Sequence, residues 1–524
     1  MSLYNRKEIL RKLVQSLTIA VVTALAVLAA GRTGFGAPKP AASAAPAASA
    51  SATPAPLPTA TPEAPEVAIP RLEAKIKANP NDKASLNELA GFYLGTGHPD
   101  KALALTQRLL ALGDKSASAY FLDGAANEGL GKVKEAISDY ENATNVEPTN
   151  AQILLTLTNL YMRTDRPADA ERVAKRATVF NASDKRSWEN YGLVLAQEKK
   201  YDEARQAFDK AAQLDPKDAT PVILQARSYV DEGAIALALQ LFDKATQIDP
   251  KNGEALLGKA RLQAANHDVK DSIASYETLL GLVPDDEGKA SVLIEESRVY
   301  EHEKMTAETE TAIKRAVTAY PKVAAVHLAY GDYLAGKKDQ AGAATEWTTA
   351  LGDKRDNPDA LQRLGVLAVS QNKPGDALGY FYRLAQISPN EPNVFAQIGQ
   401  IEADQKHWDK ARDAYRRAFE LTHAPQPLAG LAVTDYQLKN FKECAQISDA
   451  LDKNAASFLK QQPQFLLVMG KCYTSFGQKD KARGAYVRFQ AYVKPGSDAA
   501  KELQKLINGL NTLPQPKPSA TPRH

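Results

Sequence analysis

Along most of this chain apolar residues recur at intervals of three and four, and small residues recur at intervals of 34. Residues 185–216 show both periods. Trp188, Tyr191, Gly192 and Leu195 fall at i, i+3, i+4 and i+7, one stripe of a helix, and Ala204, Phe208 and Ala211 form the facing stripe of the next. Pro216 closes the second helix, because the residue before a proline is pushed out of the helical region and proline donates no hydrogen bond. Units of this kind begin at Lys83, Ala117, Ala151, Lys185, Ala219 and Gly253, and after three extra residues at Ala290, Ala324, Pro358 and Pro392. Two looser ones begin at Pro425 and Pro463, so the pattern predicts twelve helical hairpins.

Two columns of the repeat contain nothing larger than Thr. The eighth place carries Ala90, Gly124, Thr158, Gly192, Ala226, Ala260, Ser297, Gly331, Gly365, Gly399, Ala432 and Gly470. The twentieth carries Ala102, Ala136, Ala170, Ala204, Ala238, Ser272, Thr309, Ala343, Ala377, Ala411, Cys444 and Ala482. Helices approach closely only where side chains are small, so these columns mark where the two helices of a unit cross. A single hairpin buries too little apolar surface to offset roughly 1–2 kcal/mol of backbone entropy per residue, and each unit must stack on its neighbours. Such a stack needs covered ends. Residues 69–78 read as a lone helix before the first unit, and residues 498–510 as a closing helix with Ala499, Leu503, Leu506, Ile507 and Leu510 inward and Lys501, Gln504 and Lys505 outward.

The spacing resembles the tetratricopeptide repeat, and the fourth unit comes nearest to its pattern with Trp188, Tyr191, Gly192, Ala204, Phe208, Ala211 and Pro216. The resemblance covers about residues 66–511. The closing proline is replaced by Asp114, Ala182, Arg355, His423, Ala456 and Lys494, and His327 takes a core place in the eighth unit. The resemblance implies an all-α fold, a right-handed superhelical solenoid of helix-turn-helix repeats with capping helices at both ends. It also implies a concave groove, lined by the first helices, that receives a protein or peptide partner. In this family the second, fifth, ninth, twelfth and thirteenth places face that groove.

Two features fall on those places. The fifth carries an apolar ladder of Phe121, Leu155, Ile223, Leu257, Ile294, Leu328 and Leu467, which is either core filling or a surface for an apolar segment. The ninth carries Arg227, Arg261 and Arg298 in consecutive units, with Arg163 and Arg186 at groove places nearby. A row of guanidinium groups would grip carboxylates or phosphates and so suit an acidic partner. The other reading is that Asp231, Glu295 and Glu301 neutralise the row.

The first 36 residues obey a different rule. Arg6, Lys7, Arg11 and Lys12 precede an apolar run over residues 17–30, the pattern of a signal peptide or of a retained signal anchor. Both readings export the remainder of the chain; a retained anchor holds it at a membrane, and a cleaved peptide leaves it soluble on the far side. Residues 37–66 are almost wholly Pro, Ala, Ser and Thr and read as a disordered linker, residues 67–511 as the solenoid, and residues 512–524 as a Pro-rich disordered tail.

Charge and chemistry narrow the function. With 65 basic against 62 acidic side chains the net charge is +3 over 524 residues, so no global basic field draws nucleic acid. Seven histidines are scattered without a Cys partner or a His-Glu-x-x-His spacing, which leaves no metal site legible from spacing. The segment Gly331–Lys338 imitates a phosphate-binding loop but ends in Lys where Ser or Thr must stand, and no catalytic residue or cofactor is expected. Cys444 and Cys472 lie one unit apart, either bridged in an oxidising compartment or simply small and buried. The expectation is a non-enzymatic scaffold, periplasmic or anchored in the inner membrane with its repeats on the extracytoplasmic side. The alternatives are a component of polysaccharide export or assembly, and a cytoplasm-facing signalling scaffold.

Overall fold

A computed structural model of the chain describes residues 63–352 and 356–512. Among these residues there are 27 α-helices, one 3-10 turn and no strand, so the all-α expectation holds. They divide between two compact units, one ending at Glu310 and the other beginning at Thr311. Within each, successive helices pair as antiparallel hairpins stacked on the next.

The hairpins begin and end where local chemistry dictates. Asp82, Ser116, Asn150, Asp184, Asn252 and Asn357 each stand just before a first helix and accept a hydrogen bond from its free N–H groups. A cap of this kind is worth about 1 kcal/mol. At the other end, the fifteenth place of every unit has a positive φ: Gly97, Gly131, Gly233 and Gly477, but also Asp165, Lys199, His267, Lys304, Lys338, Asn372, Lys406 and Lys439. In the fourth unit the left-handed Lys199 turns the chain so that its own N–H meets Ala196 O at 2.9 Å and the N–H of Lys200 meets Leu195 O at 2.8 Å. This closes the orphan carbonyls of the first helix and aims the second back along it.

All members of the two small columns are buried. At six glycines of the eighth place the cover is an aromatic ring from the twenty-fourth place of the second helix: Tyr140 on Gly124, Phe208 on Gly192, Trp347 on Gly331, Phe381 on Gly365, Tyr415 on Gly399 and Tyr486 on Gly470. Burying each such ring contributes about 1.5–3 kcal/mol, and the absent side chain beneath lets it in.

Irregular spacings have structural answers. The three extra residues ahead of the seventh unit become an added helical turn, so that Asp286–His302 has 17 residues where Gly253–Ala265 has 13. The looser spacing near the end accommodates a short extra helix, Ala456–Gln461. Where the closing proline is missing, Gly113 and His423 adopt positive φ and stop the helix instead.

The leading helix is longer than its apolar pattern suggests: it runs Pro65–Ala78, so helix begins inside the segment read as linker. Pro65 fits the first turn, Pro70 sits inside, and Ala68 and Leu72 are fully buried on the first unit. Arg71, paired with Glu63 and Glu88, pins that turn. At the far end Asp498–Gly509 buries Leu503 and Ile507, and a 3-10 turn over Leu510–Thr512 carries the chain into the stretch read as tail. The signal or anchor, nearly all of the linker, the tail beyond Thr512, and Arg355 lie outside the described residues. No described helix is long and apolar enough to cross a membrane.

Candidate functional site

Of the two readings of the apolar ladder at the fifth place, core filling and a surface for an apolar segment, the burial of its members favours core filling. Leu155, Ile223 and Ile294 are 9%, 2% and 6% exposed. Phe121 packs its ring 5.4 Å from that of Tyr140, and Leu257, Leu328 and Leu467 are likewise only partly accessible against their neighbours' cores. Side chains at this place reach across to the adjoining unit, so the stacking itself consumes them.

The arginines are at the surface and every one has a carboxylate. Arg261 donates to Glu295 at 3.4 Å, Arg298 meets the same carboxylate at 3.2 Å, and Arg227 meets Glu254 at 3.1 Å. Arg163 pairs with Glu128, and Arg186 with Asp184 at 3.2 Å. The Arg261 pair belongs to a recurring arrangement of polar contacts between the first helices of consecutive units. Asn190 donates to Asn159 at 2.8 Å, and Arg363 forks onto Asp332 at 2.6 and 2.9 Å. These polar clasps run along the first helices and fix the register of consecutive units.

What the first helices present outward is therefore polar. In the fourth to seventh units Arg186, Thr220, Glu254, Arg261 and Arg298 are exposed, as is Asn159 in the third. Among them lies a less comfortable group. Glu189 keeps one buried oxygen without a hydrogen-bond partner, and burial pushes its carboxyl up to about 7 against the opposing pull of Lys185.

Other sequence features resolve into packing. His327 is buried, with Nδ1 2.7 Å from Glu346 and Nε2 3.0 Å from Pro321 O, a packed histidine. The phosphate-loop imitation lies largely within the helix Ala324–Gly336, its first glycine under Trp347. Cys444 and Cys472 are bridged, with Cα atoms 5.5 Å apart, and both are fully buried.

One cluster is not legible from short spacings. Among the described residues, His267, His302 and Glu303 bring three donor atoms within 4.8 Å of one another. Nδ1 of His267 lies 2.7 Å and Nδ1 of His302 2.9 Å from the same Glu303 oxygen, and the rings stack at 5.9 Å. Hydrogen bonds from His302 and His267 hold the Glu303 carboxyl below its usual range. His267 is the left-handed residue of the sixth unit, and His302 and Glu303 end the first helix of the seventh. The sixth and seventh units begin 37 residues apart, and the 35 residues between the two histidines bring His302 within two places of the position equivalent to His267, so stacking of consecutive units juxtaposes them.

The repeat geometry and the clasps between units define a helical-hairpin solenoid class. Two family models, each of the tetratricopeptide repeat, match residues 92–147, 155–219 and 342–392, and residues 229–291. Over those residues the chain carries tetratricopeptide repeats. It is 28% identical over 126 residues to human (Homo sapiens) tetratricopeptide repeat protein 7B, covering 24% of this chain and 15% of that protein. It is 38% identical over 74 residues to cellulose synthase operon protein C of Pseudomonas fluorescens (strain SBW25), covering 14% of this chain and 6% of that protein. The chain thus spans a small part of both relatives. Similar solved structures include YrrB, described as a TPR protein with an unusual peptide-binding site, at 25% identity, 35% of this chain, 95% of that one and a TM-score of 0.31. Another is a tetratricopeptide repeat protein from Parabacteroides merdae ATCC 43184, at 17% identity, 45% of this chain, 93% of that one and a TM-score of 0.37.

Proposed function

We propose that this protein is a non-enzymatic interaction scaffold, exported and membrane-associated, that binds peptide segments or assembles a protein complex on the polar face of its first helices. The observation that carries this reading is the division of labour on those helices. Apolar groove places such as Ile223 and Ile294 are consumed by stacking, while Asn159, Arg186, Thr220, Glu254, Arg261 and Arg298 stay exposed. A partner on such a face is recognised by hydrogen bonds and charge exchange, and an acidic segment would compete with Glu254 and Glu295 for Arg227, Arg261 and Arg298. Export is supported by the basic flank and apolar run near the start, and by the Cys444–Cys472 bridge, since disulfides persist in oxidising compartments.

The test is capture of partners by the immobilised chain and by an Arg227→Ala, Arg261→Ala, Arg298→Ala variant, together with topology reporters placed after Glu66 and after His524. The proposal expects extracytoplasmic reporters and partners that the variant retains poorly. Cytoplasmic reporters would refute export, and identical partner sets at identical affinity would refute the row. A second reading, a role in polysaccharide export or assembly, is favoured by the likeness to cellulose synthase operon protein C, and glycan affinity exceeding peptide affinity would support it.

A further inference from the structure

We infer that His267, His302 and Glu303 form a binding site for a borderline divalent transition metal, with zinc as the metal to expect. The inference rests on how the donor atoms are arranged. Nδ1 of His267 and Nδ1 of His302 lie 2.7 and 2.9 Å from one oxygen of Glu303, and the three donor atoms lie within 4.8 Å of one another, so two imidazoles and one carboxylate are already gathered in one place. Around zinc, with bonds of roughly 2.0–2.2 Å, neighbouring ligand atoms stand about 2.9 Å apart at right angles and about 3.4 Å apart at tetrahedral angles. Closing on a cation requires only a small relaxation of side chains that are already oriented by each other.

The chemistry of the set selects the metal. Two imidazoles and a carboxylate suit zinc, nickel or copper, whereas magnesium and calcium take shells of oxygen. Three protein ligands leave at least one coordination position open. The side chains of His267 and His302 are 67% and 56% exposed, so that position faces solvent and can take water or a donor from a partner.

The site also joins two repeats. His267 comes from the turn of the sixth unit and the other two ligands from the end of the first helix of the seventh, so a bound ion staples consecutive hairpins. The fold supplies this by stacking: the turn of the sixth unit, with His267, lies beside the end of the first helix of the seventh, with His302 and Glu303. His267 holds a positive φ of 64°, so the conservative probe at that position is Asn, which tolerates the left-handed conformation.

The experiment is zinc titration of the purified full-length chain by calorimetry and by competition with a chromophoric chelator, with thermal unfolding followed in parallel. The expected result is one saturable zinc per chain, a melting temperature that rises with zinc, and no displacement by millimolar magnesium. Glu303→Gln and His302→Ala should each weaken zinc by more than the roughly 10–100-fold that loss of a mere orienting group costs. The triple variant His267→Asn, His302→Ala, Glu303→Gln should abolish that site while melting like the unsubstituted chain in the absence of metal. Unchanged zinc stoichiometry and affinity in the triple variant, or equal competition by magnesium, would overturn the assignment. Copper(II) provides a second check: an electron paramagnetic resonance spectrum with two-nitrogen ligation that disappears in His302→Ala supports the site, and a spectrum indifferent to that change contradicts it.

Discussion

The ring of Phe208 presses against the backbone of Gly192 so closely that its Cδ1 stands 2.7 Å from where a Cβ on that residue would lie. Even one added carbon must displace a ring that is 1% exposed. Gly192→Leu is therefore expected to destabilise by about 1–3 kcal/mol through overpacking. Gly91, one place further along the first unit's helix, has nothing within 4 Å of its Cβ position, and Gly91→Ala should stabilise by about 0.5–1 kcal/mol. Denaturant unfolding of the two variants checks the pair, and equal effects would show that the crossing is not where the structure puts it.

Lys199 and Lys439 occupy left-handed turns with φ of 64° and 65°, a conformation that costs a side-chain-bearing residue about 1–2 kcal/mol and glycine little. Lys199→Gly and Lys439→Gly should each raise stability by about 0.5–1 kcal/mol once the greater freedom of glycine in the unfolded chain is subtracted. The reverse change, Gly233→Ala, should destabilise. Thermal unfolding in which Lys199→Gly melts lower than the parent would contradict the turn geometry.

Glu189 sets a pH dependence. Burial raises its folded-state value to about 7 from an ordinary 4.5, so the native state holds a proton that the unfolded state releases. The stability linked to it is full below about 4.5 and is lost as pH rises through about 7. Glu189→Gln keeps the shape without the charge and should change little at pH 5 while stabilising by about 1 kcal/mol at pH 8, a value reduced for partial solvation. A difference between variant and parent that is flat with pH would contradict the burial.

The Cys444–Cys472 bridge joins residues 28 apart in sequence. A cross-link of that span contributes about 2–4 kcal/mol by constraining the unfolded chain. Cys444→Ala with Cys472→Ala, both into small buried places, should lower the melting temperature of the C-terminal unit to match the reduced parent. Identical melting of the oxidised and reduced parent would show that the bridge stabilises nothing.

The range of each interaction decides how much of it is legible in sequence. Gly192 and Ala204 announce the crossing because a contact within one hairpin repeats in every unit and tolerates only small residues. Ile223 misleads because its burial is completed by the neighbouring unit, which the pattern within one unit does not show. Glu295 is legible as a carboxylate that neutralises the row, whereas Glu254 cannot be matched to Arg227 until the stacking register is known, since it belongs to the unit after its arginine. His267 and His302 escape because metal motifs are ordinarily sought at short spacings, while a solenoid brings together residues one repeat apart. Pro70 reads as a helix boundary, yet the burial of Ala68 and Leu72 outweighs the hydrogen bond it removes.

The central claim is that partners are received on the exposed polar face of the first helices, and site-specific photo-crosslinking tests it most directly. A photoreactive residue would be placed singly at Arg186, Thr220 or Arg261 on first helices, and at Lys210 or Lys244, which are exposed on second helices. The account predicts that the first three positions capture the same partner in cells and that the last two capture it weakly or not at all. Capture confined to Lys210 and Lys244 would contradict it and move the interaction to the opposite face of the repeats.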